Sequence, residues 1–299
     1  MKRELLQLKI RQRTYLLGER TWYMGVLNVT PDSFSDGGKF LSPEKAIERA
    51  LQMIEEGADI IDIGGESSRP GSDPVPAKEE LKRIIPVIKR LRPQTNCLLS
   101  VDTTKSFVAK EALEEGVDLI NDISAGRFDS EIFNLAHKYQ VPLILMHMKG
   151  RPKTMQVNPF YKDTLHEIAQ FLADRVAAAH RAGLTSNQIL IDPGIGFGKR
   201  FEDNLLLLNH LNFFQKFHLP LLVGVSRKSF IGEITGQPPE KRLPGTIGAC
   251  LIAVLRGVHI LRVHDVREVR EAIRVAEEIL ASAPTSSSEK KDLKEGYVH

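Results

Sequence analysis

Two cysteines in 299 residues, Cys97 and Cys250, stand far apart with no C-x-x-C spacing. That scarcity argues against a disulfide framework or a cysteine metal site and suits buried, reduced thiols in a cytoplasmic protein. Charge of one sign is lacking too: 41 Lys and Arg against 38 Asp and Glu leave a net charge of +3, too little to draw nucleic acid or an anionic membrane surface. No apolar run approaches the roughly 18 residues of a spanning helix. The opening "MKRELLQLKIRQRTYLL" is basic but has neither the apolar core nor the cleavage site of a secretory signal. The end, "SAPTSSSEKKDLKEGYVH", has almost no core-forming residues, and its composition predicts a disordered tail.

What the chain does have is rhythm. Short apolar runs recur as "TWYMGVLNV", "ADIIDIGG", "CLLSVDT", "VDLINDIS", "VPLILMHM", "ILIDPGIG", "LPLLVGVS" and "VHILRVHD". Uniformly apolar strands of this kind are buried on both faces, as parallel strands wrapped by helices are. Between them lie stretches of helical period. Ile47, Ala50, Leu51 and Ile54 share a face, Ser42-Pro43 offers an N-cap and a proline in the first turn, and Gly57 offers a stop. After the last strand, Asp265 and Glu268 have the spacing of a capping box ahead of Val266, Val269, Ile273, Ala276 and Leu280.

Eight strand–helix pairs over about 260 residues predict a single (β/α)8 TIM barrel. It spans residues 21–282, after an extension at 1–20 and before the tail at 283–299, with mobile βα loops 1 and 2. An open doubly wound sheet is the competing topology. The glycines of "DPGIGFG" are spaced G-x-G-x-G rather than G-x-G-x-x-G, and no acidic residue ends the next strand to hold a ribose.

In such barrels chemistry gathers at the C-terminal ends of the strands. Those positions carry Asn28, Glu66 to Arg69, Asp102, Asn121 with Asp122, Met146 with His147, Asp192, Ser226 to Ser229 around Lys228, and Arg262 with His264. One such residue is more often a turn or cap than a catalyst, but eight converging strand ends are not. Side-chain alternation gives some of them bland alternatives: Asp122 turned outward, His147 structural if Met146 points inward, Asp265 a simple cap, Glu66 a partner for a neighbouring strand. Spacing disposes of other chemistries. There is no His-x-His on the first strand, no H-E-x-x-H, and no glycine after Ser226 as a nucleophile elbow requires. A Schiff base on Lys228, its pKa depressed by Arg227, stays open. Asp102 and Asp192 can each accept paired N–H donors from a flat heterocycle. Asn28, Arg262 and His264 suit a phosphate, with the Asn28 oxygen available to a hard cation such as Mg2+.

The motifs "GVLNVTPDSFSDGG", "DIGGESSRPG", "SVDTTKS", "LINDISAG", "LMHMKGRPKTMQ", "IDPGIGFGK", "GVSRKSFIG" and "LRVHDV" resemble, in order, those of the dihydropteroate synthase family. That resemblance implies a transferase of folate biosynthesis that joins 6-hydroxymethyl-7,8-dihydropterin diphosphate to p-aminobenzoate. It implies a pterin site of Asp102, Asn121, Ile123, Met146, Asp192 and Lys228, and a diphosphate site of Asn28, Ser68, Arg262 and His264 with Mg2+ at Asn28. It further implies a p-aminobenzoate site of Phe34, Arg69, Pro70, Phe197 and Ser229, and catalytic roles for Asp36, Asp102, Lys228, Arg262 and His264. Asp36 would stabilise a pterin cation from the first loop. Ser68 stands where many members have Thr. A homodimer through the later helices is expected of the family, although the apolar "GTIGACLIAVLRGVHIL" reads equally as a buried helix. A pocket for p-aminobenzoate would admit sulfonamide mimics. The alternatives are a pterin-dependent methyltransferase barrel and a non-catalytic pterin-binding barrel. The first has no use for a diphosphate clamp, and the second would be marked by loss of Asn28, Lys228 or Arg262, all present here.

Overall fold

The computed structural model describes residues 3–30 and 42–282. Eight parallel strands make the barrel: β3 (Trp22–Asn28), β4 (Ile60–Gly64), β5 (Leu98–Asp102), β6 (Leu119–Asp122), β7 (Leu143–Met146), β8 (Ile189–Asp192), β9 (Leu222–Gly224) and β10 (Ile260–Val263). Neighbours pair in chain order from β3 to β8, while β10 pairs with both β3 and β9. The ring closes where Ile191 bridges Leu221 and its amide donates to the Pro220 carbonyl at 3.0 Å. Closure excludes the open doubly wound sheet, which would keep two free edges. All eight apolar runs of the sequence are strands.

The helices between them are α1 (Pro43–Glu55), α2 (Ala77–Leu91), α3 (Ser106–Glu114), α4 (Glu131–Tyr139), α5 (Thr164–Arg181), α6 (Phe201–Asn209), α7 (Ser229–Thr235), α8 (Leu243–Leu255) and α9 (Val266–Ala281), the short α7 being an addition within the seventh connection. Helix α1 starts as its sequence predicts, with the Ser42 side chain accepting the Lys45 amide. Its buried face runs through Ala46, Ile47, Ala50 and Met53, leaving Leu51 and Ile54 half-buried at the edge. The expected capping box on α9 does not form. The Asp265 carboxylate caps nothing and instead holds the Arg227 guanidinium in a two-bond ion pair, Nε to Oδ2 at 3.0 Å. A charged fork outcompetes a backbone amide for the same carboxylate. Leu280 is also exposed, so the buried stripe of α9 is Val266, Val269 and Ile273.

Strand alternation divides the core in two. Tyr23, Ile61, Ile63, Leu99, Val101 and their counterparts point outward to the helices. The inward residues at the strand starts, Trp22, Met24, Ile60, Leu98, Leu119, Ile144, Leu190, Leu222 and Ile260, fill the barrel floor. Residues 3–20, which the sequence left outside the barrel, supply its plug. Strands β1 (Leu6–Ile10) and β2 (Arg13–Leu17) form an antiparallel hairpin whose Leu8, Ile10 and Leu17 join that floor cluster. With its lower half closed by apolar packing, the barrel can be entered only from the C-terminal rim.

Candidate functional site

The alternation that puts Ile60, Leu98, Leu119 and Ile260 in the floor puts Asp62, Asp102, Asn121 and Arg262 into the same lumen one or two layers higher. Register lines up Asn28, Gly64, Asp102 and Asn121 across four successive strands. From β10, the strand next to β3, the Arg262 guanidinium donates through Nε to Asp62 Oδ2 and through Nη2 to Asp102 Oδ2, both at 2.7 Å. Asn121 Nδ2 donates to the same Asp62 oxygen at 2.9 Å. Asp62 is fully buried, and its other oxygen, Oδ1, has no hydrogen-bond partner among the described residues.

This hub adds Asp62, which the sequence reading did not name, to the grouping of Arg262 with Asn28 and His264 drawn from the sequence; Arg262 also acts on His264. The guanidinium lies among the carboxylates. Two of its N–H donors are used there, leaving others of its fork for a ligand. A clue to Asp62 existed: of the two charged residues in the run "ADIIDIGG", Asp59 and Asp62, it is the one that alternates in step with Ile60 and Gly64.

The surroundings tune these groups strongly. Burial drives the Asp102 carboxyl up to about 7, against the pull of Arg262 and with the help of Asp62. Burial likewise raises Asp192 to about 6, although its Oδ1 accepts the Gly194 amide at 2.7 Å and Lys228 favours its charge. Lys228 falls to about 8, through burial first and the Arg262 charge second. Arg227, the neighbour the sequence suggested for that effect, is engaged with Asp265 instead. Perturbation of several titratable groups around one concavity marks a functional site.

Ile123, Met146, Met148, Met155 and Phe197 form a small apolar cluster beside this polar centre. Lys228 Nζ sits 4.0 Å from the Phe197 ring centre, a cation–π contact that fixes both side chains. Phe197 is presented by the "DPGIGFGK" turn. Gly194 there has φ +70°, and a Cβ on it would stand 1.9 Å from the His147 carbonyl oxygen, so no other residue fits. His147 and Asp122 do point away from the lumen. His147 lies edge-on to Phe171 with its Nδ1 2.9 Å from Lys199 Nζ, and Asp122 accepts the Ser124 and Gly126 amides. Lys199, which the sequence did not single out, is buried beneath the turn and donates to the Phe197 carbonyl at 3.0 Å. Burial lowers it to about 7.

On the other side of the rim, His264 is bonded to Ser226 Oγ through Nδ1 at 3.0 Å. Burial, Arg262 and Arg227 push its imidazole down to about 3, so it is neutral at pH 7 and acts as a hydrogen-bonding group. Ser68 is half-buried and Arg69 and Pro70 are exposed on the second loop. That loop is tied to the segment after β7 through Gly71 N to Pro152 O at 3.0 Å and Lys153 Nζ to Asp73 at 2.6 Å. Ser229 is exposed at the start of α7. Glu66 is half-buried and pairs not with a strand residue but with Lys105, which stands at the start of α3 and also binds Glu80 at 2.5 Å. Phe34 and Asp36 lie outside the described residues.

Glycine at position 64 leaves room beside Asn28. A Cβ there would come 3.8 Å from Asn28 Oδ1 and 3.7 Å from Asp102 Oδ2. Among the described residues no three His, Cys, Asp or Glu gather as they would around a resident ion. A single amide oxygen cannot hold a hard cation alone, so Asn28 fits Mg2+ only as one oxygen ligand among others brought by a ligand or water.

The chain matches the family model described as "Pterin binding enzyme" over residues 24–264. It is 47% identical over 271 residues to the dihydropteroate synthase of Synechocystis, covering 90% of this chain and 94% of that one. The chain belongs to the dihydropteroate synthase family. A solved dihydropteroate synthase of Yersinia pestis in complex with a sulfonamide drug superposes with a TM-score of 0.88 at 42% identity, covering 93% of this chain and all of the other. Another, from Xanthomonas albilineans in complex with 7,8-dihydropteroate, gives 0.83 at 43% identity over the same shares. Of the residues assigned by resemblance to this family's pterin site, the structure brings Asp102, Asn121, Asp192 and Lys228 around one centre, with Ile123 and Met146 in its apolar wall.

Proposed function

We propose that this chain performs the dihydropteroate synthase reaction at the rim of its barrel by a dissociative route, in which diphosphate leaves the pterin methylene before the aromatic amine attacks. The observation that carries this reading is the Asp62–Arg262–Asp102 hub, with Asn121, Asp192 and Lys228 around it and Ile123, Met146 and Phe197 as a wall. A flat pterin has an amidine-like edge of N–H donors and an apolar face. Asp102 and Asp192 offer acceptors to that edge, Asn121 and Lys228 complete the polar rim, and Ile123 and Met146 cover the face.

Diphosphate is a poor leaving group until its developing charge is balanced. The free donors of Arg262, the neutral imidazole of His264, Ser68 and Asn28 would bind it, and Asn28 Oδ1 would hold the accompanying Mg2+. When bound, that ion neutralises phosphate charge. Departure leaves a cation delocalised into the pterin ring, favoured from the ring side by Asp102 and, from the first loop, by Asp36. Lys228 on Phe197 fixes the partition between pterin and p-aminobenzoate. By the family resemblance Phe34, Arg69, Pro70, Phe197 and Ser229 would receive the amine, which, being weakly basic, attacks without a strong general base. Closure of the first loop would keep out water, the competing nucleophile.

The same reading includes a cytoplasmic homodimer. Support for the dimer comes from Leu205, Leu206, Ile234, Ile252, Val275 and Ile279, large apolar side chains exposed on α6 to α9. No helix among the described residues is long and apolar enough to cross a membrane.

The deciding experiment measures diphosphate release from 6-hydroxymethyl-7,8-dihydropterin diphosphate with and without p-aminobenzoate and Mg2+. Release that depends on Mg2+, with dihydropteroate formed only when the amine is present, supports the reading. Absence of dihydropteroate under these conditions overturns it. Gel filtration at the expected monomer or dimer volume settles the assembly.

A further inference from the structure

On the same rim, but behind the apolar wall, Gly126, Arg127, Phe128, Ser130, Gly150, Arg151 and Arg175 surround an open pocket of about 620 Å³. Three guanidiniums facing one space repel one another unless something balances them. Burial, Arg175 and Arg151 all press on the Arg127 guanidinium in the direction of losing its proton. Arg127 and Arg175 are nevertheless anchored, and by neutral groups, while the exposed Arg151 rests on an aromatic face. Arg127 Nη2 donates to the Met148 carbonyl at 2.8 Å, and Arg175 Nε to the Ala125 carbonyl at 2.7 Å. Arg151 lies 4.6 Å and Arg127 5.4 Å from the Phe128 ring centre, and Arg175 lies 5.1 Å from that of Phe133. Asp122, whose charge Arg127 and Arg175 feel, spends its oxygens on the Ser124 and Gly126 amides. Asp174 near Arg175 accepts from Gln170.

We propose that this three-arginine pocket is a second ligand site, which binds the phosphate chain of a di- or triphosphate. Guanidiniums held on carbonyls and aromatic faces keep most of their N–H forks for a ligand, and planar forks match phosphate oxygens. Glycine at 126, with φ +72°, is part of the design: a Cβ there would press to 2.5 Å on Phe133 and 3.3 Å from Arg175 Nη2. Multiple charge on the ligand is favoured because three guanidiniums share the space while Asp122 is the one carboxylate whose charge both Arg127 and Arg175 feel. Phe128 also packs against the Ile123–Met146–Phe197 cluster, so the site adjoins the pterin wall without sharing a polar residue with it.

Isothermal titration of the full chain tests this, with inorganic diphosphate, ATP and sulfate as probes. The unaltered protein is expected to bind one more equivalent of diphosphate or ATP than Arg151→Glu does. Arg175→Gln is expected to weaken that equivalent at least tenfold, with thermal unfolding of both variants checked first. The readout is a difference, so it stands whether or not the rim centre itself binds diphosphate. Synthase turnover of Arg151→Glu stays at the parent level. Equal affinity for diphosphate and ATP assigns the site to free polyphosphate, and tighter ATP binding assigns it to a nucleotide. Identical titrations of parent and Arg151→Glu, or sulfate binding within twofold of diphosphate, overturn the proposal.

Discussion

Arg262 reaches Asp62 Oδ2 at 2.7 Å, a bond between residues 200 positions apart that joins strands β10 and β4 inside the barrel. It holds the guanidinium still while the second branch meets Asp102, and Asn121 is steadied by the same oxygen. Removing Asp62 therefore does more than delete one charge. Asp62→Ala leaves Arg262 short of a partner in a largely dry site, at a cost of about 3 kcal/mol of stability. Pterin affinity should drop more than tenfold as Arg262 and Asn121 lose their positions. Equilibrium binding of the free pterin alcohol measures this, and unchanged affinity would remove Asp62 from the site.

The pH profile follows from three shifted groups. Asp192 and Asp102 must be ionised to accept pterin N–H groups, and burial places them at about 6 and about 7. As pH falls through that window the carboxyls take up protons and lose acceptor capacity, so kcat/KM should decline on the acid side. Lys228 gives up its proton at about 8, so a second decline is expected above that pH. In Lys228→Met the alkaline limb should vanish. The acid limb should also move upward, because the lysine charge helps keep Asp192 ionised. A profile of the variant parallel to the parent's would contradict the assignment.

Gly64→Ala probes the space beside Asn28. The new methyl meets only ordinary contacts, 3.4 Å from Asp102 Cβ and 3.8 Å from Asn28 Oδ1, so the fold should survive with its melting temperature nearly unchanged. Affinity for the pterin diphosphate should fall by roughly tenfold, or about 1.4 kcal/mol, if that space receives phosphate and its ion. The free alcohol should be much less affected. Equal loss for both ligands would place the phosphates elsewhere.

Lys199 gives a stability prediction with a definite sign. In the unfolded chain its amine holds a proton up to the usual 10.5, whereas in the fold burial brings release down to about 7. Between those values the unfolded state binds more protons, so this group makes the fold more stable as pH rises and less stable as pH falls toward 7. Lys199→Met should flatten the rise in urea midpoint between pH 7 and 10. Parallel slopes for parent and variant would show that the amine keeps its proton in the fold.

The repeat of strands and helices was legible because burial on both faces leaves runs with few polar residues, and alternation told Asn121 from Asp122 and Met146 from His147. The plug was not legible. In "LQLKIRQRTYLL" polar residues alternate with Leu8, Ile10 and Leu17, a pattern that says one face is buried but not against what. Asp265 had the spacing of a cap, yet spacing along a helix is blind to Arg227, which reaches it from another loop.

By itself the sequence determined the eight barrel strands, the inward set of most of their polar residues and which end of the barrel carries chemistry, since these follow from periodicities of two and 3.6 residues along the chain. Only the tertiary structure decided who meets whom across the lumen. It set Arg262 against Asp62 and Asp102, Lys228 against Phe197, and Lys199 against His147. Those pairings arise from closing eight strands into a ring, and closure brings together residues whose separation in the chain carries no record of their contact.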